Sequence, residues 1–187
     1  MIIPTLILIS GLSCTGKSTL AEKISKEYQL PYFSKDMFKE LLFDRLGYSD
    51  RTWSKKLGGA SYGIIYKITE NLSKTGQSFI LESDFKPEID RQALLDLHKK
   101  YPFRVVEILC FADGKVLFGR FKKRAESGLR HPGHVDNLCY EEQEKVLMAG
   151  KAKSMEIGEL IEVDTTDLEK VDYDEILGKV GEFLLLK

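Results

Sequence analysis

The stretch Gly11-Leu12-Ser13-Cys14-Thr15-Gly16-Lys17-Ser18 satisfies G-x-x-x-x-G-K-[ST] at every constrained position. Residues of these types at this spacing are suited to holding phosphate. Glycine permits positive φ and close backbone approach, so successive N–H groups, those of Ser13, Cys14 and Thr15 included, can turn inward on phosphate oxygens. Lys17 reaches the terminal phosphates as a point charge, the Ser18 hydroxyl ligates Mg²⁺, and Thr19 follows in the first turn of a helix whose dipole favours anions. The plainer alternative is a glycine turn that matches by chance. A buried apolar run before the loop and a helical pattern after it supply the context that the motif requires. Cys14 reads as a small filler, since phosphoryl transfer needs no covalent sulfur.

Transfer of a phosphoryl group to an alcohol also needs a carboxylate to orient the hydroxyl or accept its proton. Asp36, Glu82 and Asp84 are the candidates, each just beyond a strand-like run. Asp36 serves equally well on paper as a helix N-cap. Glu82 and Asp84 stand two apart and share a face if their strand continues. One or both would then meet substrate or hold Mg²⁺ through water, with Asp84 the expected companion of Ser18; the bland alternative is a solvated strand end that caps the next helix. Between Lys115 and Arg130 lie Lys115, Arg120, Lys122, Lys123, Arg124 and Arg130 against the single acid Glu126. Arg120 and Arg124 at i, i+4 share a helix face that would close over a triphosphate, or else remain a solvated basic face. In Arg130-His131-Pro132-Gly133-His134 the intervening Pro-Gly rules out a helical histidine pair. Arg130 and His131 are therefore assigned to a substrate-side loop or a rigid turn, not to zinc. His98, on an amphipathic helix, reads as structural.

Several elements must position these groups. Apolar runs at Thr5–Ser10, Pro31–Ser34, Gln77–Leu81, Arg104–Phe111 and Leu160–Val163 predict strands. Helical spacing predicts helices over Ser18–Tyr28, from Met37 to Leu46 with Gly47 as stop, and over Ala60–Lys74, Glu88–Lys100, Lys115–Ser127, Tyr140–Ala149 and Val171–Leu186. Ser49–Gly59 reads as polar and irregular, and Gly128–Asn137 as a loop. Strands alternating with helices imply βαβ units and a mostly parallel sheet. In such a sheet, ligands bind beyond the carboxyl ends of the strands, which places Asp36, Glu82 and Asp84 on one rim with the glycine loop.

The chain has 187 residues, 43% hydrophobic and 30% charged, with a net charge of −1. These values suit one globular domain over 1–187 and exclude a disordered chain. Near-neutral charge argues against a long nucleic-acid track. The apolar Met1–Ser10 segment lacks a basic start and reads as a buried strand, not a signal peptide. No run reaches the roughly 18 apolar residues of a membrane span. Cys14, Cys110 and Cys139 lie far apart, as expected of reduced thiols in a cytoplasmic protein.

Taken together, Gly11–Ser18, Ser34-Lys35-Asp36 and Leu117-x-x-Arg120-x-x-x-Arg124 resemble the small P-loop kinases grouped around chloramphenicol phosphotransferase, polynucleotide kinase and the zeta-toxin-like kinases. Val163-Asp164-Thr165-Thr166 is similar to the segment that passes the base in such kinases. The resemblance implies an α/β, three-layer αβα P-loop NTPase related to adenylate kinase. Its sheet is five-stranded, with order 2-3-1-4-5 and a basic helical lid at about 114–137. It further implies ATP as donor with Mg²⁺, Asp36 as base, Arg120 and Arg124 on adenine and phosphates, and Thr165 near the base. The expectation is an ATP-dependent kinase with a small-molecule hydroxyl acceptor. A polynucleotide 5′-hydroxyl or nucleotide kinase, with Tyr32, Phe33 or Trp53 stacking on bases, and a non-catalytic ATP-binding module stand as alternatives. A GTPase would carry an N/T-K-x-D motif, which this sequence lacks.

Overall fold

The computed structural model describes residues 3–185; Met1 and Ile2 of the opening segment, and Leu186 of the expected last helix, lie outside that range. Five strands, β1 (Thr5–Gly11), β2 (Tyr32–Ser34), β3 (Phe79–Glu82), β4 (Arg104–Phe111) and β5 (Glu159–Asp164), form one sheet in the order β2-β3-β1-β4-β5. Every pairing is parallel. The helices are α1 (Lys17–Tyr28), α2 (Lys35–Leu46), α3 (Arg51–Thr75), α4 (Pro87–Lys100), α5 (Gly114–Glu126), α6 (Tyr140–Leu147) and α7 (Tyr173–Leu185).

Alternation along β1 explains the three layers. Ile7 and Ile9 pack with Leu20, Ala21 and Ile24 of α1 and with Ile176 and Val180 of α7. Leu6 and Leu8 face the other way, onto Ile65 of α3 and Leu94 of α4. All seven β1 residues are buried, because both sheet faces are covered. Helix α5 packs through Leu117 and Phe121 against Leu147 of α6. No helix of the described residues is long and apolar enough to cross a membrane.

The segment Ser49–Gly59 departs from expectation: residues 51–59 are the first part of α3, a helix of 25 residues. Asp50 caps it by accepting from the Trp53 N–H at 2.9 Å. Its buried face, Ser54, Leu57, Ser61, Ile65, Thr69 and Ser73, is largely small and polar. Such a face lacks the apolar stripe by which a helix is recognised.

One buried charge fastens the sheet. Glu107, 1% exposed in the middle of β4, accepts from Ser10 Oγ at 2.8 Å, Ser154 Oγ at 2.6 Å and the Met155 N–H at 2.9 Å. Ser10 immediately precedes the glycine loop, so the carboxylate also anchors the loop's entry. Glu107→Ala strands these donors and is expected to destabilise the protein by about 3 kcal/mol, measured by denaturant unfolding.

Candidate functional site

The loop between β1 and α1 is tied to its own backbone. Thr15 Oγ1 and Lys17 Nζ both donate to the Leu12 carbonyl, at 2.9 and 2.7 Å. At Gly11, with φ +135°, a Cβ would stand 2.1 Å from the Cys110 carbonyl oxygen, so only glycine fits. Gly16 and Cys14 take φ +78° and +68°, conformations that let consecutive N–H groups converge. Burial pushes the Cys14 thiol up, against the pull of Arg124 and Lys17, which keeps it protonated. Ser18 and Thr19 are exposed in the first turn of α1.

The two arginines of α5 make different contacts. Arg120 donates to the carbonyls of Thr165 and Thr166 at 2.9 and 3.0 Å, and reaches the Cys14 carbonyl at 3.5 Å. It links the phosphate loop to the end of β5. Thr165 is itself fastened, its hydroxyl donating to the Phe111 carbonyl at 2.9 Å. Arg124 instead lies over the Phe121 ring and pairs with Asp136 at 3.2 Å, facing the main cavity.

That cavity, about 910 Å³, runs from Gly11 and Lys17 to Asp36, Asp84 and Arg130. Ser34, not Asp36, caps α2, accepting from the Met37 N–H at 3.0 Å. Asp36 is thus free for Arg130, which donates to it at 2.7 Å. Burial would raise the Asp36 carboxyl, but the Arg130 and Lys35 charges hold it well below the usual carboxylate range. Lys35 bridges the acids, bonded to Asp84 and 3.8 Å from Asp36.

Glu82 and Asp84 do not share a face. The strand ends at Glu82 and the chain bends at Ser83, so the two carboxylates line one cavity but take different partners. Glu82 accepts from Ser18 Oγ at 3.2 Å and Tyr32 Oη at 3.1 Å; Asp84 accepts from Lys35 and Tyr62. Ser18 is thus bonded to Glu82, while Asp84, its expected companion at Mg²⁺, is bonded to Lys35. A hydroxyl and a carboxylate, both hard oxygen donors beside a glycine cradle, fit Mg²⁺, which keeps several waters and takes few protein ligands. Among the described residues there is no group of three or more His, Cys, Asp and Glu side chains placed to hold a metal on their own.

The histidine loop is corrected too. His131 stacks on Phe43 with ring centroids 5.1 Å apart and contacts Asp44 at 3.2 Å; it does not line the cavity. His134 does. Gly133 allows this approach, since a Cβ there would meet the Phe43 ring at 2.5 Å. His134 Nδ1 accepts from Arg130 at 3.1 Å and Nε2 meets Glu40 at 2.8 Å. This network assigns the neutral Nε2–H tautomer. Lys39, Glu40, Tyr62 and Asp136 are members of the site that the sequence did not single out, while Lys35 and His134 stood within quoted stretches without an assigned role. The only signal was spacing: Lys35 and Lys39 lie at i, i+4, as do Asp36 and Glu40.

Burial lowers the His134 imidazole from its ordinary 6.5, and Arg130 lowers it further against the pull of Glu40. The unfolded chain therefore takes up this proton at higher pH than the folded one. The stabilisation is whole above the unfolded value and is lost as pH falls from there toward the lower folded value. Thermal unfolding is expected to show Tm dropping as pH falls below the ordinary imidazole value of 6.5, with a flatter slope in His134→Gln. Asp36 and Glu40, also held low, extend the loss in the same direction at more acid pH.

Comparisons with known proteins agree with this architecture. The family model for the AAA domain matches residues 6–148. No curated protein matches the chain. A crystal structure described as that of a "putative kinase" from Chloroflexus aurantiacus is 38% identical with TM-score 0.91, covering 96% of this chain and 97% of that one. A sugar kinase from Janibacter sp. superposes with TM-score 0.57 at 15% identity, covering 95% and 92% of the two chains. A gluconokinase from Sinorhizobium meliloti superposes with TM-score 0.54 at 16% identity, covering 98% and 97%. The last two likenesses concern the fold alone. The family match over most of the chain, together with the 38% identical relative, shows that this protein belongs to the AAA domain family, with the fold of a P-loop kinase.

Proposed function

We propose that the protein transfers the γ-phosphoryl group of ATP to a hydroxyl of a small molecule. The observation that carries this reading is one continuous cavity in which the phosphate loop and the Asp36–Asp84 rim face each other. In the reaction, the acceptor oxygen forms a bond to the γ-phosphorus, the bond to the bridging oxygen breaks, ADP leaves, and the hydroxyl proton passes to Asp36 or to water. A carboxylate held as low as Asp36 is a weak base. It suits a loose transition state, in which the hydroxyl is oriented first and gives up its proton late. Lys17 and the loop N–H groups hold the terminal phosphates, and Arg124 faces the charge in transit. Ser18 and Glu82 would hold Mg²⁺, the latter through water; the ion supplies charge neutralisation at the phosphates.

A polynucleotide track is disfavoured by where the aromatic side chains lie. Tyr32 is bonded to Glu82, Phe33 stacks on Phe38, and Trp53 Nε1 donates to the Gly47 carbonyl at 2.9 Å. An aromatic already committed to a neighbour is a poor platform for a base. ADP formation measured with a panel of sugars, sugar acids, nucleosides, amphenicols, aminoglycosides and short oligonucleotides tests the reading. Acceptor-dependent ADP release is expected from a small molecule. Tight ATP binding with no acceptor-stimulated turnover across the panel would identify a binding module instead.

A further inference from the structure

Helix α3 presents Ser54, Gly58, Tyr62 and Tyr66 at i, i+4 spacing, and all four line the cavity. Tyr62 and Tyr66 are engaged, donating to Asp84 and Asp90. The Ser54 hydroxyl is buried, with the residue 1% exposed, and has no hydrogen-bond partner. Gly58 lets the Lys39 stem lie close to α3: a methyl group there would be in van der Waals contact with it, 3.7 Å from Lys39 Cε and 3.9 Å from Nζ.

Lys39 itself is only 7% exposed and also lines the cavity. Its ammonium makes no hydrogen bond or ion pair with any described residue; the Phe43 ring, 5.3 Å away at its centroid, is its contact. The neighbouring cations are compensated. Lys35 has Asp84, Arg130 has Asp36, Arg51 has both oxygens of Glu142, and Lys17 has the Leu12 carbonyl. An ammonium that lines the cavity without a partner is a costly feature unless something fills that space. Burial and the Lys35 charge pull the Lys39 ammonium down to about 8, a value that a bound anion would restore upward.

From this arrangement we infer that the acceptor carries an anionic group, a carboxylate or a phosphate monoester, seated against the Lys39 ammonium where it faces the cavity. The inference rests on the phosphotransfer reading of the same cavity and narrows its substrate class to hydroxy acids, sugar acids and sugar phosphates. The Lys39 ammonium offers three N–H donors, and an oxyanion can accept from more than one of them. A neutral polyol leaves the ammonium uncompensated, and an aminoglycoside adds like charge.

The test compares glucose, gluconate, glucose 6-phosphate and glucosamine, which share a polyol frame and differ in charge. Two readouts are taken, ADP formation with ATP·Mg²⁺ and thermal shift with ADP·Mg²⁺ occupying the loop; inorganic phosphate and tartrate are added as probes in the second. Wild type is expected to prefer an anionic acceptor and to be stabilised by anionic probes, with the carboxylate and phosphate arms telling which group fits. Lys39→Met, which exchanges an uncompensated charge for an apolar stem, is expected to keep or raise Tm while weakening the anionic ligand about tenfold or more. Gly58→Ala is expected to raise Tm by about 2–4 °C, because alanine favours a helix interior. Turnover on neutral or cationic acceptors that is indifferent to Lys39→Met overturns the inference and leaves the kinase reading standing. Stabilisation that depends on Lys39 without ADP formation from any acceptor does the reverse. Absence of any Lys39-dependent effect of the anionic probes, or a loss confined to ATP affinity, also overturns it.

Discussion

Asp36→Asn is expected to lower phosphoryl transfer by about 10²-fold or more while leaving ATP binding nearly intact. The amide is close to isosteric with the carboxylate and retains one oxygen that can accept from Arg130, so the first turn of α2 keeps its shape. The negative charge that orients the acceptor hydroxyl and receives its proton is lost. The same substitution leaves Arg130 facing Asp136 at 3.5 Å and Glu40 at 3.8 Å, so the guanidinium stays compensated and the fold should hold. Nucleotide titration, single-turnover rate and Tm on the same preparation separate the outcomes. An unchanged rate on the true acceptor would remove Asp36 from the chemistry and turn attention to Asp84, the other carboxylate on the rim. Reduced ATP affinity in parallel with the rate would mean that Asp36 acts on the donor side.

The split between donor and acceptor halves follows from how each is encoded. The donor loop is continuous in sequence, its glycines are demanded by backbone geometry, and a single octapeptide carries most of its function. The strands and their parallel layering were legible for a related reason: β1, β3 and β4 are buried and largely apolar, with Glu107 the exception inside β4, whereas the strand order followed from the resemblance to small P-loop kinases. The acceptor half is assembled from α2, α3, the end of β3 and the histidine loop, which are far apart in the chain. Glu82 and Asp84 illustrate the difficulty. Their spacing suggests a shared face, yet the strand stops at Glu82, and a single bend sends one carboxylate to Ser18 and the other to Lys35. Gly58 and Gly59 look like loop residues in a polar segment, whereas they lie within α3, where Gly58 lines the cavity beside the Lys39 stem. His131 precedes Pro132 and draws the eye, but the turn at Pro132–His134 points His134 inward and leaves His131 on Phe43. None of these choices is made locally; each depends on a partner that only packing supplies.

Lys17→Met is expected to weaken ATP binding and to reduce the turnover rate by about 10²–10³-fold, the cost of removing a preorganised charge from a developing anion. Methionine keeps most of the buried stem, as it must, because Lys17 is only 7% exposed and belongs to the inward face of α1. The ammonium's present bond is to the Leu12 carbonyl, which Thr15 Oγ1 also satisfies at 2.9 Å. The loop therefore retains its backbone closure without the lysine, and Tm should move little. Lys17→Arg is expected to fail as a rescue. A planar guanidinium presents a rigid fork where the loop offers room for a compact, rotating charge. Isothermal titration with ATP and ADP gives the diagnostic comparison. A lysine that serves the terminal phosphate should cost more affinity for ATP than for ADP, whereas one that merely braces the loop would weaken both alike and lower Tm with them.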